Sequence, residues 1–307
     1  MAGLIDYAGL FPPAKLPMAA SAEAFARSRM GEHEWMLGRF ICPASRLREF
    51  SQAAAVMMPG TFATSGYREH ADVSEPWRVS VIIDGTLESD LETMAGFNSH
   101  HEREDNGLAV ADALELKVTE PQDVDEAIEL IPDEYFPFFE FPADIVMKGD
   151  CRGFVAALAG HGAAAKIRTG GVTPEAFPST RAVADFMLAC RGAGVAFKAT
   201  AGLHHPVRAE YPLTYEKGCP RGVMHGFLNV FLAAAMVHED HVDGARAAEI
   251  LEEKDAANFK FTEEGVRWHG LFLESARLAQ ARELFCLSYG SCSFDEPVED
   301  LKKLGLL

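Results

Sequence analysis

Residues 163–205 read AAAKIRTGGVTPEAFPSTRAVADFMLACRGAGVAFKATAGLHH, and the order of elements within this stretch decides the fold. Two short apolar runs, one around Lys166 and one around Lys198, each empty into glycine, as a buried strand does where it meets a turn. Between them Ser179 or Thr180 can cap a helix in which Val183, Phe186, Met187 and Cys190 recur at i, i+3, i+4 and i+7. Strand, helix and strand in this order make a βαβ unit with parallel strands. Working outward, runs of the same kind fall near 4–10, 38–43, 78–84, 113–118, 136–141, 163–168, 195–200 and 284–289. A second amphipathic stripe, Val124, Ala127, Ile128 and Ile131 behind Thr119 as cap, sits between two of them. Eight such strands close a (β/α)8 TIM barrel, an α/β fold, and the chain is read as a single barrel domain over 1–307.

Composition limits what such a barrel binds. Of the 307 residues 48% are hydrophobic and 24% charged, which is an ordinary globular mixture with ample core. The 46 acidic against 28 basic side chains give a formal charge of -18, so no nucleic acid and no anionic membrane surface is expected as partner. A small anionic substrate remains compatible where cations converge locally. Cys42, Cys151, Cys190, Cys219, Cys286 and Cys292 show no CxxC spacing, which fits reduced thiols and a cytoplasmic setting. No charged n-region opens the chain and no run of about 18 apolar residues occurs, so export and membrane spanning are not expected. The composition leaves a homo-oligomer and a monomer equally open.

Residues 98–106, NSHHEREDN, are polar and aperiodic and read as an exposed connection. The connection from the seventh to the eighth strand, 203–283, is much longer than one helix requires and reads as an insertion. Within it a buried helix is expected near 223–237, a charged helix near 243–254, and a hairpin in FKFTEEGVRW with Glu264 and Gly265 at its turn.

Strand parity then gathers the charged residues. Alternate residues point to one side of a strand, so Lys166 goes with Arg168, Glu115 with Lys117, Phe138 with Glu140, and Lys198 with Thr200. All four pairs lie toward the C-terminal ends of their strands, where barrel enzymes keep their active sites. Six ionisable groups therefore converge on one mouth: Glu115, Glu140, Lys117, Lys166, Arg168 and Lys198. A lysine in such an apolar site with a second cation beside it loses its proton more readily, which prepares an amine nucleophile. Asp6 and Asp84, at strand ends, can orient neighbours; His204 and His205 stand at the same end. His100, His101 and Glu102 read as solvent-facing, and Cys292 as packed without a partner histidine.

The stretch 163–205 resembles the corresponding region of the 2-deoxyribose-5-phosphate aldolases, which reads roughly KTSTG, then a TPE-containing helix, then GxKxxGGxR. IDYAGLFPP is similar to that family's IDHTLLKP, LELKV to its VDVVxP strand, FFEF to its IIET strand, and SYGSCSFDEPVEDLKKLG to its closing FGASSLLxxLLKxLG. The resemblance implies class I aldolase chemistry without cofactor or metal. It places Lys166 at the Schiff-base lysine, Lys198 at the lysine that keeps it deprotonated, and Glu115 at a proton-transferring aspartate. Gly170, Gly202, Gly290 and Ser293 fall on the phosphate-binding turns. Arg168 stands in place of a serine, Ala201 of a glycine, His204 of an arginine and Cys292 of a serine. These departures weaken the phosphate site and point to a carboxylate or a differently placed anion on the substrate, with Glu140, Lys117, Arg168 and His204 among its contacts.

Three function classes are carried forward. The first is a lysine-dependent carbon–carbon lyase acting on a small hydroxy-carbonyl compound, phosphorylated or carboxylated. The second is a metal-dependent barrel using Asp84, Glu140, His204 and His205, and the third a non-catalytic barrel that binds an anionic metabolite.

Overall fold

The computed structural model describes residues 1–60 and 75–307. Eight parallel strands close a barrel: β1 (Ile5–Tyr7), β2 (Leu37–Pro43), β3 (Trp77–Ile82), β4 (Ala109–Lys117), β5 (Phe136–Glu140), β6 (Ala164–Arg168), β7 (Ala196–Thr200) and, after the long connection, β13 (Cys286–Ser291). The chain is a (β/α)8 barrel in which β13 seats between β7 and β1. Every strand expected from the sequence is present. The ends differ by up to four residues, most at β4, whose first half contains Asp112 and so lacks an unbroken apolar signal.

Each strand faces a core on both sides, for two physical reasons. Outward, Val79, Val81, Phe139, Ile167, Phe197 and Ala199 pack under the helices and are fully buried. Inward, the barrel is filled in layers. Phe138 sits with Ala113 and Ala164, flanked by Phe136, Ala196 and Leu287, so one large ring is accommodated by small alanines on the neighbouring strands. The charged layer of Glu115, Lys166 and Lys198 lies directly beyond this plug, with the Lys198 ammonium 5.1 Å from the Phe138 ring centre.

The outer helices are α1 (Met18–Arg29), α2 (Leu47–Ala54), α3 (Leu87–His101), α4 (Gln122–Leu130), α5 (Ala143–Lys148), α6 (Arg152–Leu158) and α7 (Thr180–Ala193). Ser179 caps α7 by accepting from Ala182 N at 3.1 Å, as its position suggests. At α4 the capping runs the other way: Asp123 accepts from the Thr119 and Glu120 amides at 2.6 and 3.1 Å, and Thr119 is a donor. The polar segment 98–106 is largely exposed, as its composition suggests, but it is not all connection, and His101 is buried. α3 continues to His101, the Asn98 amide donates to and accepts from the Ala111 backbone, and His101 is buried between Ser51 Oγ and Gly107 O. Asn98 and His101 are satisfied locally, so His101 is buried without an apolar stripe while Ser99, His100 and 102–105 stay exposed.

The long connection holds β8 (Ala209–Pro212) and β9 (Arg221–Met224) as a hairpin, α8 (Phe227–His238), α9 (Gly244–Glu252), the antiparallel sheet β10 (Lys260–Phe261), β11 (Gly265–Trp268) and β12 (Leu271–Glu274), and α10 (Ser275–Leu284); α11 (Asp295–Lys303) follows β13. Part of it is therefore barrel structure. α8 is the outer helix after β7, apolar on every face because β13, α7, α9 and α10 surround it. Its Phe227 and Phe231 rings lie 5.4 and 5.8 Å from Tyr289. Asn229, the one polar residue in its middle, donates to Ile250 O and Glu253 O, which ties α9 to α8. No helix among the described residues is long and apolar enough to cross a membrane. Removing the interior ring should expose how far the charged layer leans on it: Phe138→Ala is expected to lower unfolding free energy by about 3–5 kcal/mol in urea denaturation, since the alanine neighbours cannot fill the space.

Candidate active site

Four adjacent strands carry the charged layer. In their registers Lys117 pairs with Glu140, Glu140 with Lys166, and Lys166 with Lys198, so four charged residues stand side by side across β4 to β7, the last two of like sign. Lys198 Nζ donates to Asp6 Oδ2 at 2.5 Å and to Glu115 Oε1 at 2.6 Å. Lys166 Nζ lies 2.7 Å from Glu115 Oε2 and 2.5 Å from Glu140 Oε2. One carboxylate thus spans both lysines and keeps the two ammonium groups closer than a Debye length of about 8 Å. Ser80 Oγ donates to Glu115 Oε1 at 2.7 Å; Ser288 Oγ and the Arg39 amide donate to Asp6, each at 2.8 Å. Gly38 is required on β2 because a Cβ there would collide with Asp6 Oδ1.

These contacts set the protonation of the layer. Burial alone would raise the Glu115 pKa, but the Lys166 and Lys198 ammonium groups outweigh it and hold the carboxyl well below its usual 4.5. Burial would lower that of Lys166, yet Glu115 and Glu140 overcome it, and Lys166 sits above the ordinary lysine value of 10.5. The expectation of an uncharged Lys166 held down by Lys198 is therefore not met in the resting site. Lys198 is already compensated by Asp6 and Glu115, so its repulsion of Lys166 is spent locally.

Above the layer opens a cavity of ≈ 310 Å³, lined by Glu115, Glu140, Lys166, Lys117, Arg168 and His204 and walled by Phe11, Ile41 and Val172. Lys166 is 5% exposed and lines this cavity. Arg168 Nη1 approaches Glu140 Oε1 no closer than 3.8 Å. Gly202 and Gly290 line the cavity, but a Cβ at Gly170 would strike the Phe177 ring, and one at Gly202 would come within 2.8 Å of it. Phe177 thus covers that glycine turn. At the closing turn Ser293 Oγ accepts from Glu296 N at 3.1 Å and the Ser293 amide turns to Ser291 Oγ at 3.4 Å.

His204 belongs to a cluster that sequence spacing does not reveal, because its members come from four places in the chain. Its Nδ1 is 3.2 Å from Glu296 Oε2 and 3.9 Å from Cys292 Sγ, and Tyr215 OH donates to Glu296 at 2.9 Å. Burial opposes its charge, but Cys292 and Glu296 raise the imidazole pKa to about 9. His205 pairs with Asp300 at 2.6 Å, and Asp84 accepts from Ser45, so the four residues nominated for a metal each face a different partner. Among the described residues no group of three or more His, Cys, Asp or Glu side chains converges as a metal site. A second, apolar cavity of ≈ 270 Å³ between α8 and α10 contains one titratable side chain, Arg282, and carries no comparable chemistry. Comparison with protein-family models, curated proteins and solved structures found no match to this chain.

Stability should follow these charges at both ends of the pH scale. Glu115, lowered on folding, contributes above about pH 4.5 and loses its contribution as pH falls through its folded value. Lys166, raised on folding, contributes below 10.5 and loses it as pH rises through its higher folded value. The urea midpoint is expected to fall outside this window, and at pH 7 Glu115→Gln should cost about 3–5 kcal/mol because two buried ammonium groups then share too few carboxylates.

Proposed function

We propose that the protein is a class I aldolase-like carbon–carbon lyase that forms a Schiff base through Lys166 with a small hydroxy-carbonyl substrate. The observation that carries this reading is the setting of Lys166: a buried amine at the C-terminal mouth of a barrel, bracketed by two carboxylates and open to one small cavity. The aldolase resemblance supports it through the positions of Lys166, Lys198 and Glu115.

The flanking carboxylates solve the problem that the resting lysine is charged. As the substrate enters, the Lys166 ammonium passes a proton to Glu140, which lies 2.5 Å away at the cavity wall. The neutral amine adds to the carbonyl carbon. Glu140 then returns the proton to the hydroxyl of the carbinolamine, which leaves as water and gives the iminium. Breaking the adjacent carbon–carbon bond sends its electron pair toward the iminium nitrogen, while a carboxylate accepts the proton of the departing hydroxyl. Glu115 remains an anion throughout because Lys198 and Ser80 hold it so, and it stabilises the iminium that replaces the ammonium. Lys198 is in this reading a positioning residue for Glu115.

Reduction with borohydride in the presence of small aldehydes, ketones and oxo acids should give a mass-shifted adduct at Lys166, absent from Lys166→Ala; an adduct that persists in that variant refutes the assignment. Trapping should slow by about 100-fold in Glu140→Gln, where the proton shuttle is lost. The trapping rate should also fall as pH drops below neutrality, because the Lys166 amine, already held above its ordinary value by Glu115 and Glu140, is then still harder to free of its proton. A rate that stays flat into acid would show that no amine attacks.

A further inference from the structure

Arg168 and Lys117 are two mouth residues that neither the barrel interior nor the imine chemistry uses. They flank Glu140 from opposite sides: Lys117 is its register partner on β4, and Arg168 extends past it from β6 with its nearest carboxylate oxygen at 3.8 Å. Both line the Lys166 cavity. The Arg168 side chain is 42% exposed, and no hydrogen bond or ion pair engages the Lys117 side chain among the described residues. A guanidinium fork left without a close partner beside a reacting lysine is suited to a planar carboxylate.

Charge balance gives the same answer. Asp6, Glu115 and Glu140 against Lys166 and Lys198 leave one negative charge in the layer, and Arg168 with Lys117 turns this into one positive charge at the mouth. A carboxylate monoanion brings the site to neutrality; a phosphate ester, at about -1.5 to -2 near pH 7, carries it past. The usual places for a phosphate are also taken. Phe177 covers the Gly170 and Gly202 turn, and at the start of α11 the Ser293 hydroxyl is held by Glu296 N while the Glu296 carboxylate stands beside His204.

We propose that Arg168 and Lys117 form a carboxylate subsite, so that the compound taken by Lys166 is an oxo acid and not a phosphate ester. The substrate class rests on the Schiff-base reading; the subsite does not, and two measurements on the full chain separate them. Calorimetric titration with lactate, a carboxylate without a reactive carbonyl, should show tighter binding than inorganic phosphate. Arg168→Gln should weaken lactate at least about tenfold, with part recovered in Arg168→Lys. Phosphate binding as tight as lactate, or lactate binding indifferent to Arg168→Gln and to Lys117→Gln, overturns the subsite; Lys117 is exposed, so its variant keeps the test available if Arg168→Gln fails to fold. Borohydride trapping at matched concentrations of pyruvate, acetone and dihydroxyacetone phosphate should favour the pyruvate adduct at Lys166 about tenfold or more. Equal trapping of either other compound overturns the oxo-acid preference. No adduct with any of the three, while lactate still binds through Arg168, overturns the Schiff-base reading and leaves a carboxylate-binding barrel.

Discussion

The carboxylate of Glu115 holds two lysines at once, and the rest of the site is arranged around that fact. Its two oxygens lie 2.7 and 2.6 Å from Lys166 and Lys198, in the interior of a barrel where an unpaired charge would be costly to desolvate. Each further group in the layer completes the pairing: Asp6 for Lys198, Glu140 for Lys166, and serine hydroxyls for the remaining lone pairs on Asp6 and Glu115. The Phe138 plug lies beneath, and Lys166 faces the cavity on the other side. The two lysines differ in consequence. Lys198 is fully buried and donates two well-formed hydrogen bonds, which suits a fixed post. Lys166 meets Glu115 Oε2 off the hydrogen-bonding angle and borders the cavity, which suits a group whose bonds must change.

The barrel was legible in the sequence because its strands are buried on both faces and interrupted by glycine, a signal that depends on nearest neighbours only. Parity extended this to the site, since Glu115, Glu140, Lys166 and Lys198 lie on adjacent strands and share one interior face. What parity could not supply is pairing across the barrel. Asp6 reaches Lys198 from a strand 192 residues earlier, and the Cys292, His204, Tyr215 and Glu296 cluster joins residues separated by up to 92 positions. No local pattern encodes such contacts. The burial of His101 within the otherwise exposed 98–106 has the same origin: Asn98 and His101 turn their polar atoms to β4 and its preceding turn, and polarity alone does not reveal a partner.

The protonation of Lys166 also required the three-dimensional arrangement. Two lysines on neighbouring strands suggest mutual repulsion and a free amine, which is sound when nothing else is near. Three carboxylates reverse the outcome, because each lysine meets two anions at hydrogen-bond distance and only one cation beyond them. The same sequence feature therefore supports nucleophilic chemistry by a different route. In the proposed mechanism the barrier to deprotonation is met by a proton acceptor already in contact with the amine, not by a depressed resting pKa.

That route explains why Glu140 differs from the other two carboxylates. Asp6 and Glu115 accept hydrogen bonds from fixed donors on neighbouring strands, so protonating either would leave a buried donor facing an acid. Glu140 is at the end of β5, where its second oxygen faces Arg168 across 3.8 Å and the cavity beyond. Fewer fixed donors hold it, and an anion arriving at Arg168 would offset the more distant of the two cations that face it. In the proposed mechanism, substrate charge at the mouth would then ease the passage of the proton from Lys166 to Glu140, coupling binding to the release of the nucleophile.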